Sequence, residues 1–195
     1  LNIEILKNIQ ITSQEHMLIR SIEDFYEKNG NMILMLPIIR GESNISMRLI
    51  DYFVTNYAKK YRVCYYLVEN GVKILFNVYA SYKSQLKAYN KKYFDPFSRG
   101  NRIPFFFSDD CIITTIGQLN FFRWFIFKKV LNYVQEHFDE IELELNKNKN
   151  INKKKKNKTN IVRNKKPKKP INNQIKYPIN QMNLSTQPKK PVKIT

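Results

Sequence analysis

Residues 147–195 hold sixteen Lys or Arg and no Asp or Glu, while residues 1–146 hold eighteen basic and sixteen acidic side chains. The formal net charge of +18 therefore divides into about +2 on the first stretch and +16 on the second. A cationic segment with no acids and few apolar residues cannot offset the entropy of ordering its own chain. Any packed core must come from residues 1–146, a length suited to one domain that buries roughly two-thirds of its unfolded surface.

The basic stretch is mostly Asn and Lys up to Asn164, including the run Lys153-Lys154-Lys155-Lys156. Lys-Pro repeats follow, with Lys165, Lys166, Pro167, Lys168, Lys169 and Pro170, then Lys189-Lys190-Pro191. The expectation is a disordered cationic tail over 147–195, its ends on the order of 40 Å apart as a flexible coil. Such a segment attracts polyanions. Each Lys or Arg that neutralises a phosphate releases condensed counterion, which gives salt-sensitive binding blind to base sequence. Tyr177 is its one aromatic residue, so base stacking is not implied there. Two other readings stay open: a solubilising appendage reflecting an AT-rich coding bias, and a nuclear-import signal at Lys153–Lys158 or Lys165–Lys169.

Within the domain, Thr12 and Glu15 form a capping box, and Met17, Leu18, Ile22, Phe25 and Tyr26 recur at helical spacing until Asn29-Gly30. The apolar run Met32–Ile39 reads as a buried strand, although Pro37 argues for an edge or an early end. A helix starts near Ser46, its stripe formed by Leu49, Ile50, Phe53, Val54, Tyr57 and Tyr61. Val63–Val68 and Val72–Tyr79 flank Asn70-Gly71, the pair that supplies the positive φ angles of a type I′ hairpin turn. Ser81–Tyr93 reads as a helix, and Ile103–Phe107 with Cys111–Thr114 as a second hairpin. A capping box at Thr115 and Gln118 opens a last helix running to about Leu145, apolar nearly all round in its first half and therefore central. The acids Glu136, Asp139, Glu140, Glu142 and Glu144 close the domain and would fold the tail back when no polyanion competes. The fold class expected is α+β: one compact domain over 1–146 with about four helices and two β-hairpins.

Enzyme constellations are missing from this pattern. The two histidines, His16 and His137, lie at opposite ends of the domain. No zinc-ligand spacing occurs, and with five glycines in the chain there is no phosphate-cradling loop. Asp109-Asp110 reads as a turn rather than a Mg²⁺ site. The two cysteines, Cys64 and Cys111, read as buried thiols of a reducing compartment. The opening residues carry no secretory pattern, and no run of about eighteen apolar residues is present to span a bilayer. The expectation is a non-enzymatic protein with no cofactor, metal or membrane partner.

The segment from Ser81 to Arg102 is the candidate interface of the domain. On a helix, Lys83, Lys87 and Lys91 fall at i, i+4 and i+8 in one row beside Tyr82, Leu86, Tyr89 and Tyr93. Lys92, Arg99 and Arg102 extend the basic surface. Evenly spaced ammonium groups suit a phosphate backbone; a solvated lysine face over a tyrosine core stripe fits the same pattern.

Several stretches resemble an uncharacterised protein family of the nucleocytoplasmic large DNA viruses, the giant viruses of algae and amoebae. They are Leu36-Pro37-Ile38-Ile39-Arg40-Gly41-Glu42-Ser43, Arg48-Leu49-Ile50-Asp51-Tyr52-Phe53-Val54-Thr55-Asn56-Tyr57 and Phe76-Asn77-Val78-Tyr79. Ser81-Tyr82-Lys83-Ser84-Gln85-Leu86-Lys87-Ala88-Tyr89, Phe94-Asp95-Pro96-Phe97 and Thr114-Thr115-Ile116-Gly117-Gln118-Leu119-Asn120-Phe121-Phe122-Arg123-Trp124 complete the set. The family's Asp-Pro-Phe motif continues with a Cys and two Arg where this chain has Ser98-Arg99-Gly100. The resemblance implies a viral protein made in infected cells, in a cytoplasmic factory or the nucleus, or packaged in the virion. It brings no catalytic residues with it. With the polycationic tail it implies an accessory role on viral DNA or RNA, in transcription or genome packaging. The alternative is a virion structural or assembly protein that binds other viral proteins.

Overall fold

The residue at each chain reversal explains the architecture best. A computed structural model describes residues 12–27, 30–97, 99–108 and 110–163, without the side chains of 151–163. Among the described residues there are seven helices and two antiparallel hairpins, an α+β fold.

Helix α1 (Ser13–Glu27) starts at the expected capping box: Thr12 Oγ1 accepts from the Glu15 amide at 3.3 Å, and Glu15 Oε2 accepts from the Thr12 amide at 2.8 Å. Its buried face is Glu15, Ile19, Ile22 and Tyr26, so Met17, expected inside, is exposed. Helix α2 (Asn31–Arg40) replaces the strand expected over Met32–Ile39. Gly30 and Gly41, both left-handed, bracket it, and the Gly41 amide closes onto the carbonyls of Ile38 and Pro37. Met32, Met35 and Ile38 are buried at i, i+3 and i+6 while Ile33 and Leu34 are exposed, a period of about three rather than two.

Helix α3 (Met47–Tyr52) is capped by Ser46 and runs on through a π-helical turn (Phe53–Tyr57) and Ala58–Lys60. Strands β1 (Cys64–Glu69) and β2 (Val72–Asn77) pair in the register Glu69↔Val72 around Asn70 and Gly71, both at positive φ, as a type I′ turn requires. The second strand stops at Asn77, short of the expected Tyr79, because the Asn77 side chain caps α4 (Val78–Tyr93), accepting from the Ala80 amide at 2.8 Å. Strands β3 (Arg102–Phe107) and β4 (Asp110–Thr115) form the second hairpin. Cys64 and Cys111 are both exposed free thiols, contrary to the buried pair expected: each falls on a strand position that faces away from the core.

The expected single last helix is three. Helix α5 (Ile116–Phe127) is capped by Thr115, as anticipated, and is buried at ten of its twelve residues, from Ile116 to Phe122 and from Trp124 to Ile126. It ends where Lys129 turns left-handed, with Tyr65 Oη donating to the Lys128 carbonyl at 2.7 Å. Helices α6 (Val130–Glu136) and α7 (Phe138–Arg163) follow, separated at His137. The aromatic cluster Phe94, Phe121, Trp124 and Phe125, with ring centroids 5.2–6.4 Å apart, makes α5 the axis of the core.

The chain divides into two units, residues 1–155 and 156–195. Core residues continue to Leu145, and Asn148 Nδ2 donates to Tyr52 Oη at 2.6 Å, past the expected boundary at 146. The backbone is helical to Arg163, where a disordered tail was expected from 147. Lys165, Lys166, Lys168 and Lys169 lie outside the described residues.

Candidate nucleic-acid interface

The lysine row depends on an unbroken α4, and α4 breaks. Asn90 sits at φ 49 and ψ −176, outside helical space, so Lys91 and Lys92 leave the row that Lys83 and Lys87 begin. Lys83 and Lys87 are exposed and flank Ser84, with no carboxylate within 4 Å among the described residues. The same holds for exposed Lys91 and for Arg102 at the start of β3.

The other two candidate cations are occupied. Lys92 pairs with Glu15 at 3.1 Å, donates to Tyr93 Oη at 2.7 Å and lies over the Tyr93 ring. Arg99 holds Asp95 by two hydrogen bonds of 2.7 Å, one from Nε and one from Nη2. The geometry thus brings Lys83 and Lys87 together, sets Lys91 beyond the break, and pairs the exposed Lys92 and Arg99 with the buried carboxylates of Glu15 and Asp95. Lys153–Lys156 fall within the helical backbone of α7.

Each ion pair leaves an electrostatic mark. Burial pushes the Glu15 carboxyl up, but hydrogen bonds from the Thr12 amide, Tyr93 Oη, the Lys92 ammonium and the Thr12 hydroxyl reverse this and hold it down at about 2. Burial raises Asp51, with Arg99 and Lys91 pulling it down and Asp95 pushing it up. Burial, with Asp51 and Asp95 nearby, carries Tyr82 to about 12. Charges from α3, α4 and the loop after it therefore meet in one place.

A buried polar network was missed at the sequence level. Asn120 Nδ2 donates to the Tyr93 carbonyl at 2.8 Å, Gln118 Nε2 to the Pro96 carbonyl at 2.8 Å, and Asp95 N to the Gly117 carbonyl at 3.2 Å. Thr114 Oγ1 donates to Gln118 Oε1 at 2.8 Å, and Trp124 Nε1 to Ser81 Oγ at 3.0 Å. A Cβ on Gly117 would stand 2.8 Å from the Lys92 carbonyl oxygen, so only glycine lets α5 approach the end of α4 this closely. Polar residues inside the apolar run 115–125 are the signal that points to this network, since a buried amide must find partners. Stretches quoted for the family resemblance, 81–89, 94–97 and 114–124, are the ones that meet here. Their common part is the joint between α4, its following loop and α5.

Among the described residues no group of three His, Cys, Asp or Glu is placed to hold a metal ion. No described helix is long and apolar enough to cross a membrane. The β1–β2 hairpin presents a contrasting surface: Tyr66, Val68 and Leu75, on one face by the pairing Tyr66↔Leu75, are each more than 60% exposed, on a sheet of two strands among the described residues.

Comparison with known proteins places this geometry in context. Residues 1–194 match the model of a family described as a family of unknown function, DUF7197. The chain is 38% identical over 148 residues to the uncharacterized protein L507 of Acanthamoeba polyphaga mimivirus, a match that covers 72% of this chain and 57% of the relative. The match thus takes in little more than half of that relative's length. No solved structure matches.

Proposed function

The chain belongs to DUF7197, a family of unknown function, and from its division of charge we propose a non-enzymatic accessory protein that binds viral nucleic acid. The mimivirus relative agrees with the giant-virus resemblance read in the sequence, and a viral protein acts in the infected host cell. The binding reading rests on one observation: sixteen Lys or Arg and no acid over residues 147–195, joined to a domain of about +2. That segment supplies affinity by neutralising phosphates without reading bases. Lys83 and Lys87, exposed and unmatched by carboxylates among the described residues, orient the domain on the backbone. Lys91 and Arg102 contribute at its margin, while Lys92 and Arg99 serve the fold first. The role belongs to transcription or genome packaging, in a cytoplasmic factory or the nucleus.

A second reading, assembly with other viral proteins, is favoured by the β1–β2 hairpin, whose exposed Tyr66 and Leu75 and whose edges, unpaired among the described residues, suit a protein surface. Copurification separates the two. Association with nuclease-sensitive material is the expected result; nuclease-resistant association with capsid or core proteins would replace nucleic-acid binding by assembly.

A further inference from the structure

Arg123 is the cation the interface leaves unexplained. It is half-buried on α5, and its guanidinium donates from Nη1 to Ser21 Oγ at 2.5 Å and from Nη2 to Asn120 Oδ1 at 2.8 Å. Both acceptors are neutral, and no carboxylate lies within 4 Å among the described residues. Arg40 and Arg99, by contrast, are each matched by an aspartate. A guanidinium with five donors, partly withdrawn from water and lacking a counter-charge, is prepared for an anion.

The space around it has a definite form. Two cavities lie between α1, α4 and α5, of about 620 and 470 Å³, and Ser21, Tyr89 and Arg123 line both. The first also has Tyr93 in its wall, and the second Phe25, Trp124 and Phe127. Phe127 is 63% exposed, an aromatic ring that water contacts at the rim of a pocket. Each volume is in the range that holds a small organic ring system. Aromatic walls on either side of one guanidinium match a nucleotide step: base, phosphate, base.

We propose that this groove binds single-stranded nucleic acid, with Arg123 on a phosphate and the flanking bases in the two aromatic-walled cavities. Stacking on side chains is sequence-tolerant because every base has a π-face. The two acids in the walls do not oppose this. Glu15 is neutralised by Lys92, and Asp24 in the second cavity offers an acceptor to an exocyclic amino group. A duplex hides its base faces and cannot enter. The inference rests on the nucleic-acid reading above but assigns the domain its own role, preference for unpaired strands, which the basic segment cannot supply.

Trp124 is the only tryptophan of the chain and lines the second cavity, so its emission reports occupancy. The full-length protein is titrated with a fluorescently labelled oligothymidylate of about six nucleotides at about 0.3 M salt, where purely electrostatic binding is weakened. Saturable change in Trp124 emission is expected with the single strand and not with a duplex of equal length. Phe127→Ala, at an exposed position, should weaken the response about tenfold with an unaltered thermal melt. Arg123→Lys, which keeps the charge but loses the planar fork, should weaken it as well. Oligonucleotide binding by anisotropy at low salt, with silent Trp124 and no effect of Phe127→Ala, would overturn the groove and leave the basic segment's role intact. No binding by either readout would overturn both. A response to a Glu-rich peptide and not to the oligonucleotide would make the groove a protein site and overturn its assignment to nucleic acid.

Discussion

Glu15 shows how a single side chain ties the N-terminal helix to the end of α4. Its carboxylate takes hydrogen bonds from Thr12, Tyr93 and Lys92, and these carry its pKa from an ordinary 4.5 to about 2. A carboxyl depressed on folding contributes stability that is complete above its unfolded pKa and is lost as pH falls through the folded one. Glu15→Gln should therefore cost about 1–3 kcal/mol at neutral pH, and the gap to the parent should close between pH 4.5 and about 2 in denaturant melts. Gly117→Ala tests the neighbouring contact. Its methyl meets backbone rather than a flexible side chain, so a loss of about 1–3 kcal/mol is expected in the same assay, from overpacking. Much at this scale was legible: Thr12, Thr115 and Asn70-Gly71 announce their caps and turn because local hydrogen bonding alone decides them. Asn90 and Lys129 were not legible: both take positive φ inside runs of helical spacing, with no following glycine of the kind that marks Asn70 as a turn residue.

Among elements, those with a clear period and a local cap read correctly from sequence, and those decided by packing did not. Met32–Ile39 looks like a strand because eight residues with one Pro fit either period; the flanking glycines at 30 and 41 are what make it α2. The lysine row failed for the same kind of reason. Helical spacing places Lys83, Lys87 and Lys91 together only if nothing bends the axis, and Asn90 does. The cations therefore divide by role, which a charge-variant pair can separate. Lys83→Glu with Lys87→Glu should reduce nucleic-acid affinity several-fold and leave the thermal midpoint unchanged, because both side chains stand in solvent. Arg99→Gln should instead lower the midpoint, at a cost of about 1–3 kcal/mol, because Asp95 is 5% exposed and would keep a buried charge without its fork partner. Loss of affinity in the second variant at full stability would return Arg99 to the interface.

For the whole molecule, the division of charge decides the account. The apolar core reaches Leu145 and the Asn148–Tyr52 hydrogen bond follows it, so a chain ending at residue 150 keeps every core residue of the domain. What it loses is fourteen of the sixteen basic residues of the 147–195 segment. The separation of a near-neutral domain from a basic segment was plain in composition, but the boundary was not. Helical backbone persists from Phe138 to Arg163 because Lys and Asn do not forbid it once α7 has started against the core. The most direct test is the salt dependence of duplex DNA binding, as the slope of log K against log salt, for the full chain and for residues 1–150. A slope of about −5 or steeper is expected for the full chain, falling to about −2 or shallower after truncation, with weaker binding to every sequence. Equal slopes and equal affinities for the two chains would contradict the role assigned to the basic segment.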